Sequence, residues 1–389
     1  MSPAWTHWAT SQDLLGLGIP AHDAGTGLDS DVLGVAQYGG EFRFDVFDAY
    51  GAGLVTNPNV VVAGAIGAGK STVVKMMLER ALRRGRRVVV LDPKGEYAAL
   101  ARRHGQRPVV LGRDGWCNPF ADFERDGSSL LRALLASALG AALGVEEHFV
   151  VDELWRVVVS VRPERVLRHC YEYLESSLVA TESSPRRRVA LGLHRLVEGD
   201  LSGLFDGLDA PLALGGELVV IDLSAQWASA SLPLAVLCVV AAAHDVLGRG
   251  DCLGYLVLDE AWSMLGDEHA VTWLRGSWKL ARARGVSHVL VLHRFSDVAS
   301  AADAGSAHLE RARGLLRESE THWLLRQPPD EAGEIATTLQ LSALEVRYLH
   351  ALPRGSALVR YGSARSIVRL RPISSDLALI DTDATMRLE

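Results

Sequence analysis

Apolar residues along this chain follow two rhythms. Unbroken runs rich in valine and leucine stand at Val60–Val62, Arg87–Leu91, Val109–Leu111, Glu217–Leu223, Tyr255–Leu258 and Ser287–Leu292. Runs of this kind, without alternation, are those of strands buried on both faces of a parallel sheet. Between them apolar positions recur at helical spacing. Val73, Val74, Met76, Met77, Leu78, Ala81 and Leu82 predict a helix over 71–84, and similar patterns predict helices over 232–247 and 268–284. Strands alternating with helices call for an α/β fold, a mostly parallel sheet with helices on both faces. Gly85 suits the residue just past the first of these helices. The arginines at 83, 84, 86 and 87 suit its negative end as caps and solvated surface, a contact to nucleic acid or an acidic partner being the other reading.

From about 121 to 212 the strand rhythm stops. Leu130–Leu143, Glu147–Val161, Val166–Leu178 and Val189–Val197 are helical, with Ser183-Ser184-Pro185 and Arg186-Arg187-Arg188 between the last two. The arginine run reads as a solvated loop, or else as a contact to a substrate or a neighbouring subunit. Residues 1–57 form a Gly- and Asp-rich lead in which Glu41–Phe47 alternates like a strand. Asn57-Pro58-Asn59 is a turn. Late strands are expected at Thr321–Arg326, Ala357–Tyr361 and Ser366–Leu370, the last two joined by a hairpin around Gly362. The expected organisation is a lead segment (1–57), a core in two parts (58–120 and 213–389) and a helical insertion (121–212).

The 389 residues are 48% hydrophobic, enough for a large core. The formal net charge of −7 gives no general attraction for nucleic acid, so a polyanion contact needs a local basic patch. The four cysteines, Cys117, Cys170, Cys238 and Cys252, lack metal or redox spacing, which favours a reducing compartment. No signal-peptide pattern opens the chain, and the longest apolar run, about 232–243, is too short for a bilayer span. A cytosolic protein is expected, peripheral at most to the inner face of a membrane.

One stretch changes the picture from fold to chemistry. Gly64-x-x-x-x-Gly69-Lys70-Ser71 follows a strand and opens a helix, the context that a phosphate loop requires. Gly64, Ala65, Ile66, Gly67, Ala68, Gly69, Lys70, Ser71 and Thr72 are the expected nucleotide-binding residues. Backbone N–H groups there turn around a phosphate, and the helix directs its positive end to the same place. Lys70 would neutralise the β- and γ-phosphates, and Ser71 would ligate Mg²⁺. Tyr255–Leu258 runs into Asp259 and Glu260, so a metal-holding carboxylate and a general base for water stand side by side. The implied cofactors are ATP and Mg²⁺, and the implied reaction is ATP hydrolysis.

Other residues stay open. Asp92-Pro93-Lys94-Gly95-Glu96-Tyr97 follows a strand, so Asp92 or Glu96 either approaches the metal or water or simply forms a turn. His293-Arg294 ends another strand, and His293 is a structural residue or a γ-phosphate sensor. Arg275, Lys279 and Arg282 share one helix face, with Arg284 just beyond. That face is solvated, or else Arg282 or Arg284 reaches the phosphate of a neighbouring subunit.

With GAIGAGKS at 64–71, LDPKGEY at 91–97, NPF at 118–120, LVLDEAW at 256–262 and VLVLHRFSDV at 289–298, the chain resembles the HerA–FtsK superfamily of motor ATPases. Within that group it resembles most the TraC-type ATPases of conjugation and type IV secretion. The resemblance spans roughly 45–384. It implies a RecA-like core, a hexameric ring, partners in a membrane secretion channel, and work on a translocated polymer that is DNA or a DNA–protein complex. Two features depart from the family. A glutamine is common where His293 stands, and the docking domain that usually precedes the core is replaced here by about 57 residues. Two other readings compete: a ring that pumps double-stranded DNA, and a nucleotide-binding assembly module with little turnover. Leu201-Ser202-Gly203-Leu204 lacks the remainder of a transporter signature and reads as a helix end.

Overall fold

A computed structural model describes residues 25–117, 120, 127–159, 166–177, 184–206, 212–227, 229, 231–248, 252–261, 265–294, 296 and 307–380. Asn118, Pro119, Trp262, Phe295, Asp297 and Val298 of the quoted motifs, and the first 24 residues of the lead, lie outside these.

The chain opens with β1 (Val32–Ala36), β2 (Glu41–Arg43) and α1 (Val46–Gly51). The strand expected over Glu41–Phe47 is therefore half strand and half helix. Asp45 accepts the N–H groups of Phe47 (2.9 Å) and Asp48 (3.1 Å), and this N-cap starts a helix where apolar alternation alone predicts extended chain. Then come β3 (Val60–Ala63), α2 (Lys70–Arg83), β4 (Arg87–Asp92), α3 (Ala98–Arg103) and β5 (Val109–Val110). Helices α4 (Gly127–Leu139), α5 (Val145–Leu154), α6 (Val166–Ser177) and α7 (Pro185–Val197) follow before β6 (Leu218–Asp222) and α8 (Leu232–Gly248). After β7 (Gly254–Leu258), α9 (Glu268–Arg284) leads into β8 (Val286–Leu292). The rest is α10 (Ala307–Glu318), β9 (Thr321–Leu325), α11 (Pro329–Leu339), α12 (Ala343–Ala351), β10 (Ser356–Tyr361), β11 (Ala364–Leu370) and α13 (Ser374–Ile380). Helices α10–α13 were not among the sequence expectations.

All these strands join one sheet in the order β2-β1-β11-β10-β9-β3-β8-β7-β4-β6-β5. From β9 to β5 the pairing is parallel, and from β9 through β2 it is antiparallel. The lead strands thus extend the same sheet. Alternation within the buried strands sorts the core into two layers. Val60, Val62, Val88 and Val90 pack with α1, α2, α3 and α13, while Val61, Ala63, Val89 and Leu91 pack with α4 to α12. Between β8 and β9 the chain crosses over β3, so β3 stands at a switch point, where the carboxyl ends of parallel strands open a crevice.

Arginines of two charge runs pair with acids within the fold. Arg84 pairs with Asp48 (2.8 Å), and Arg86 reaches Asp48 (3.3 Å), tying the end of α2 to α1. The run Arg186–Arg188 is not a loop. Ser184 caps α7, the arginines occupy its first turn, and Arg186 and Arg188 pair with Glu153 (2.7 Å) and Glu147 (3.1 Å) of α5. Among the described residues no helix is long and apolar enough to cross a membrane.

Candidate nucleotide-binding site

The loop from β3 to α2 needs its glycines for space and for backbone conformation. A Cβ on Gly64 would lie 2.8 Å from that of Leu325 on neighbouring β9. Gly67 (φ +75°) and Gly69 (φ +109°, the N-cap of α2) are left-handed. The loop is anchored just past the end of β9, where the Ala65 N–H donates to the Arg326 carbonyl (3.0 Å), and on the turn before β10, where the Gly355 N–H donates to the Ala68 carbonyl (3.3 Å). Ile66 at its tip is 80% exposed. Lys70, Ser71 and Thr72 open a helix of 14 residues, whose first N–H groups have no partner within it.

Lys70 is buried. Its ammonium donates to the carbonyls of Gly64 (2.8 Å) and Ala65 (3.2 Å) and to Nδ1 of His293 (2.7 Å). Burial pulls its pKa down to about 8 against the opposing pull of Asp259 and Glu260. His293, one step beyond β8, hydrogen-bonds through Nε2 to Glu260, which also pairs with Lys94. Glu260 is itself buried and left-handed (φ +53°), uncommon for a residue with a side chain. Burial alone would raise its pKa; the hydrogen bonds from His293 and Lys94 outweigh that and hold it at about 2.

Asp259 accepts the Glu260 N–H (3.0 Å). Burial, with Glu260, Glu96 and Asp92 nearby, raises its pKa to about 7. Asp259 is therefore a buried carboxylate crowded by other acids. Ser71 Oγ donates to Glu96 Oε2 (2.7 Å), which joins the β4 loop to the phosphate loop. Asp92 is spent on its own turn, accepting the N–H groups of Glu96 (3.0 Å) and Tyr97 (2.8 Å). The two carboxylates left open by the sequence thus divide, Glu96 facing Ser71 and Asp92 holding the loop.

Among the described residues no group of three or more His, Cys, Asp or Glu side chains is arranged to hold a metal alone. Mg²⁺ does not need one, since one or two protein ligands with phosphate and water suffice. Ser71 and the charge-crowded Asp259 fit that demand.

Arg282 and Arg284 stand elsewhere. They end α9 at the amino edge of the parallel strands, opposite the phosphate loop of the same chain. Arg282 is exposed, and Arg284 Nη1 lies 3.2 Å from His244 Nδ1. Arg275, on the same helix, pairs with Glu318 of α10 (2.6 Å). Two lysines here have no role legible in the sequence: Lys94, although it lies in the quoted motif, and Lys75, buried with its ammonium 5.5 Å from the Tyr97 ring. The same holds for Trp227, whose ring lies 5.5 Å from the Lys94 ammonium. Only the strand-end position of Lys94 could have signalled its place.

Residues 55–119 match the family model for the central domain of the helicase HerA. No curated protein matches the chain in sequence. Among solved structures it is similar to VirB4 of Thermoanaerobacter pseudethanolicus, with a TM-score of 0.75 and 23% identity over 91% of this chain and 100% of that one. It is also similar to the plasmid coupling protein TrwB bound to a non-hydrolysable ATP analogue, with a TM-score of 0.52 and 16% identity over 80% of this chain and 85% of that one. TrwB bound to ADP and Mg²⁺ gives 0.52, 16%, 80% and 84%. The fold is that of these P-loop proteins, and the HerA match agrees with the HerA–FtsK resemblance read from the motifs.

Proposed function

We propose that this chain is an ATP-hydrolysing motor of a conjugative or type IV secretion-like transfer system. One observation carries the reading. Lys70, Ser71, Glu96, Asp259, Glu260 and His293, from four separate strand ends, converge at the phosphate loop at the switch point of the sheet. The fold shared with VirB4 and with TrwB, a coupling protein solved with an ATP analogue and with ADP and Mg²⁺, supports the same activity.

In this reading residues 64–72 cradle the phosphates, and Lys70 turns its ammonium from the loop carbonyls towards them. Bound Mg²⁺ would be held by Ser71 and Asp259 and would draw charge from the phosphates. Glu260 takes a proton from water, and His293 fixes its carboxylate relative to Lys70. Arg282 or Arg284, on the opposite edge, serves a neighbouring copy in a ring, with hexamers expected. The core is 58–120 with 213–389, the helical part 121–212 is an insertion, and the protein works at the inner face of a membrane channel.

ATP turnover against protein concentration, for wild type and Glu260→Gln, with and without DNA, tests the reading. Turnover that rises faster than concentration and is lost in Glu260→Gln supports a ring motor. Stimulation by DNA would move the assignment to a DNA translocase. Nucleotide binding with no Glu260-dependent turnover at any concentration would leave only a binding module.

A further inference from the structure

The pairing of Lys94 with Glu260 is not required by nucleotide binding, and it works against a general base. The Lys94 ammonium and His293 Nε2 share the Oε1 oxygen of Glu260, so the place a water would take on that oxygen is filled until Lys94 moves away. Lys94 sits on a stiff turn, because Asp92 holds the N–H groups of Glu96 and Tyr97. Glu260 is equally fixed, by its left-handed backbone and by the hydrogen bond from its N–H to Asp259. Between two rigid mounts, the Lys94 side chain is the movable part. It is 32% exposed, against 2% for Glu260.

The ammonium has a second neighbour. The Trp227 ring, on the short helical turn after β6, lies 5.5 Å from Lys94 Nζ, a cation–π distance. Trp227 is 36% exposed, so one side of it meets Lys94 while the rest faces the surface. A path of contacts therefore runs from the surface through Trp227 and Lys94 to Glu260 and on through His293 to Lys70.

We propose that Lys94 is a positioning residue that latches the Glu260 carboxylate in an ion pair and keeps water from it, and that Trp227 buttresses the latch from the surface. The inference rests on the assignment of Glu260 as general base. It adds that this contact restrains turnover.

The test uses the full chain. Lys94→Met is expected to raise basal ATP turnover about threefold to tenfold, with Kd for a fluorescent ATP analogue unchanged. Lys94→Arg, which keeps the pair, should turn over like wild type, and Trp227→Ala should show a smaller rise than Lys94→Met. Because both substitutions act on one path, Lys94→Met/Trp227→Ala should be no faster than Lys94→Met alone. Thermal unfolding of each variant separates release of the latch from loss of fold. Turnover in Lys94→Met equal to or below that of a folded wild type overturns the latch, as does a rise that persists when Glu260→Gln is added. If wild type and Glu260→Gln turn over alike, it is the general-base assignment that fails, and the two failures are thereby told apart.

Discussion

Lys70 and His293 are 223 residues apart in sequence, and their side chains are joined by a 2.7 Å hydrogen bond. An ammonium has no acceptor, so Lys70 donates and Nδ1 accepts. Nε2, on the other side of the ring, faces the Glu260 carboxylate and lies 3.1 Å from the Lys94 ammonium. One ring therefore fixes the spacing between the phosphate lysine and the carboxylate beside it.

His293 is expected to act through this spacing rather than through charge. His293→Ala should lower turnover about tenfold to a hundredfold, with nucleotide affinity changed less than about threefold. His293→Gln, whose amide can accept from Lys70 and donate to Glu260, should keep most of the wild-type rate. Steady-state kinetics beside nucleotide-binding titrations check this. Equal loss in both variants would show that the imidazole itself is needed.

The carboxylate crowding at Asp259 makes a prediction about Mg²⁺. Burial and three neighbouring acids raise its pKa to about 7, an arrangement that a bound cation relieves. Ser71→Ala and Asp259→Asn should each raise the Mg²⁺ concentration needed for half-maximal nucleotide binding, by about tenfold or more. Glu96→Gln should do so less, because Glu96 reaches the site through Ser71. Mg²⁺ titrations of a fluorescent nucleotide complex read this directly, and an unchanged midpoint in Asp259→Asn would remove that residue from the metal.

The parallel half of the fold was legible because its strands are buried on both faces, which makes runs such as Val60–Val62 unambiguous. What was not legible depends on contacts between distant segments. Nothing near Glu96 announces Ser71, and the DPKGEY motif itself does not say that Asp92 holds the turn while Lys94 crosses to Glu260. Asp45 looks like the polar step of a strand until its carboxylate is seen capping a helix. The arginines at 186–188 look like a wet loop because their acidic partners lie on α5, more than thirty residues earlier. The helices from α10 onward are short or highly charged, and their apolar faces appear only against the sheet.

Arg80 on α2 and Asp376 on α13 form a two-armed pair at 2.6 and 2.7 Å, with both side chains almost wholly buried. Removing one partner leaves the other charge buried and unpaired, so Asp376→Ala should cost about 3–5 kcal/mol of stability. Arg80→Met/Asp376→Leu, which removes both, should be closer to wild type than either single change. Urea unfolding of the set measures it. A single-variant cost below about 1 kcal/mol would mean that the pair contributes little.

Three buried histidines give the last prediction, a fall in stability on the acid side of neutrality. His288 and His244 face each other with Nε2 atoms 2.6 Å apart, enclosed by Asn59, Ser277, Trp278 and the Arg284 guanidinium. Burial pushes His288 down to about 3, and burial with the nearby His288 and Arg284 pushes His244 well below its usual value. His322, bonded to the Leu316 carbonyl (3.1 Å) with Arg360 and Arg365 nearby, is lowered to about 4, again first by burial. In the fold these rings are neutral, whereas in the unfolded chain they take up protons below about pH 6.5. The unfolded state then binds more protons, so stability drops as pH falls from about 6.5 and levels off only near the folded values. Each ring contributes a slope of about 1.4 kcal/mol per pH unit, and Asp259, protonated in the fold below about pH 7, opposes them by one such slope, leaving about 2.7 kcal/mol per unit near pH 5. Urea midpoints at pH 7.5, 6.5 and 5.5 should show the slope steepening, and a folded His322→Gln variant should lose about half of it. A flat profile across that range would mean that these rings are charged in the native state, with the His244–His288 pair open to solvent.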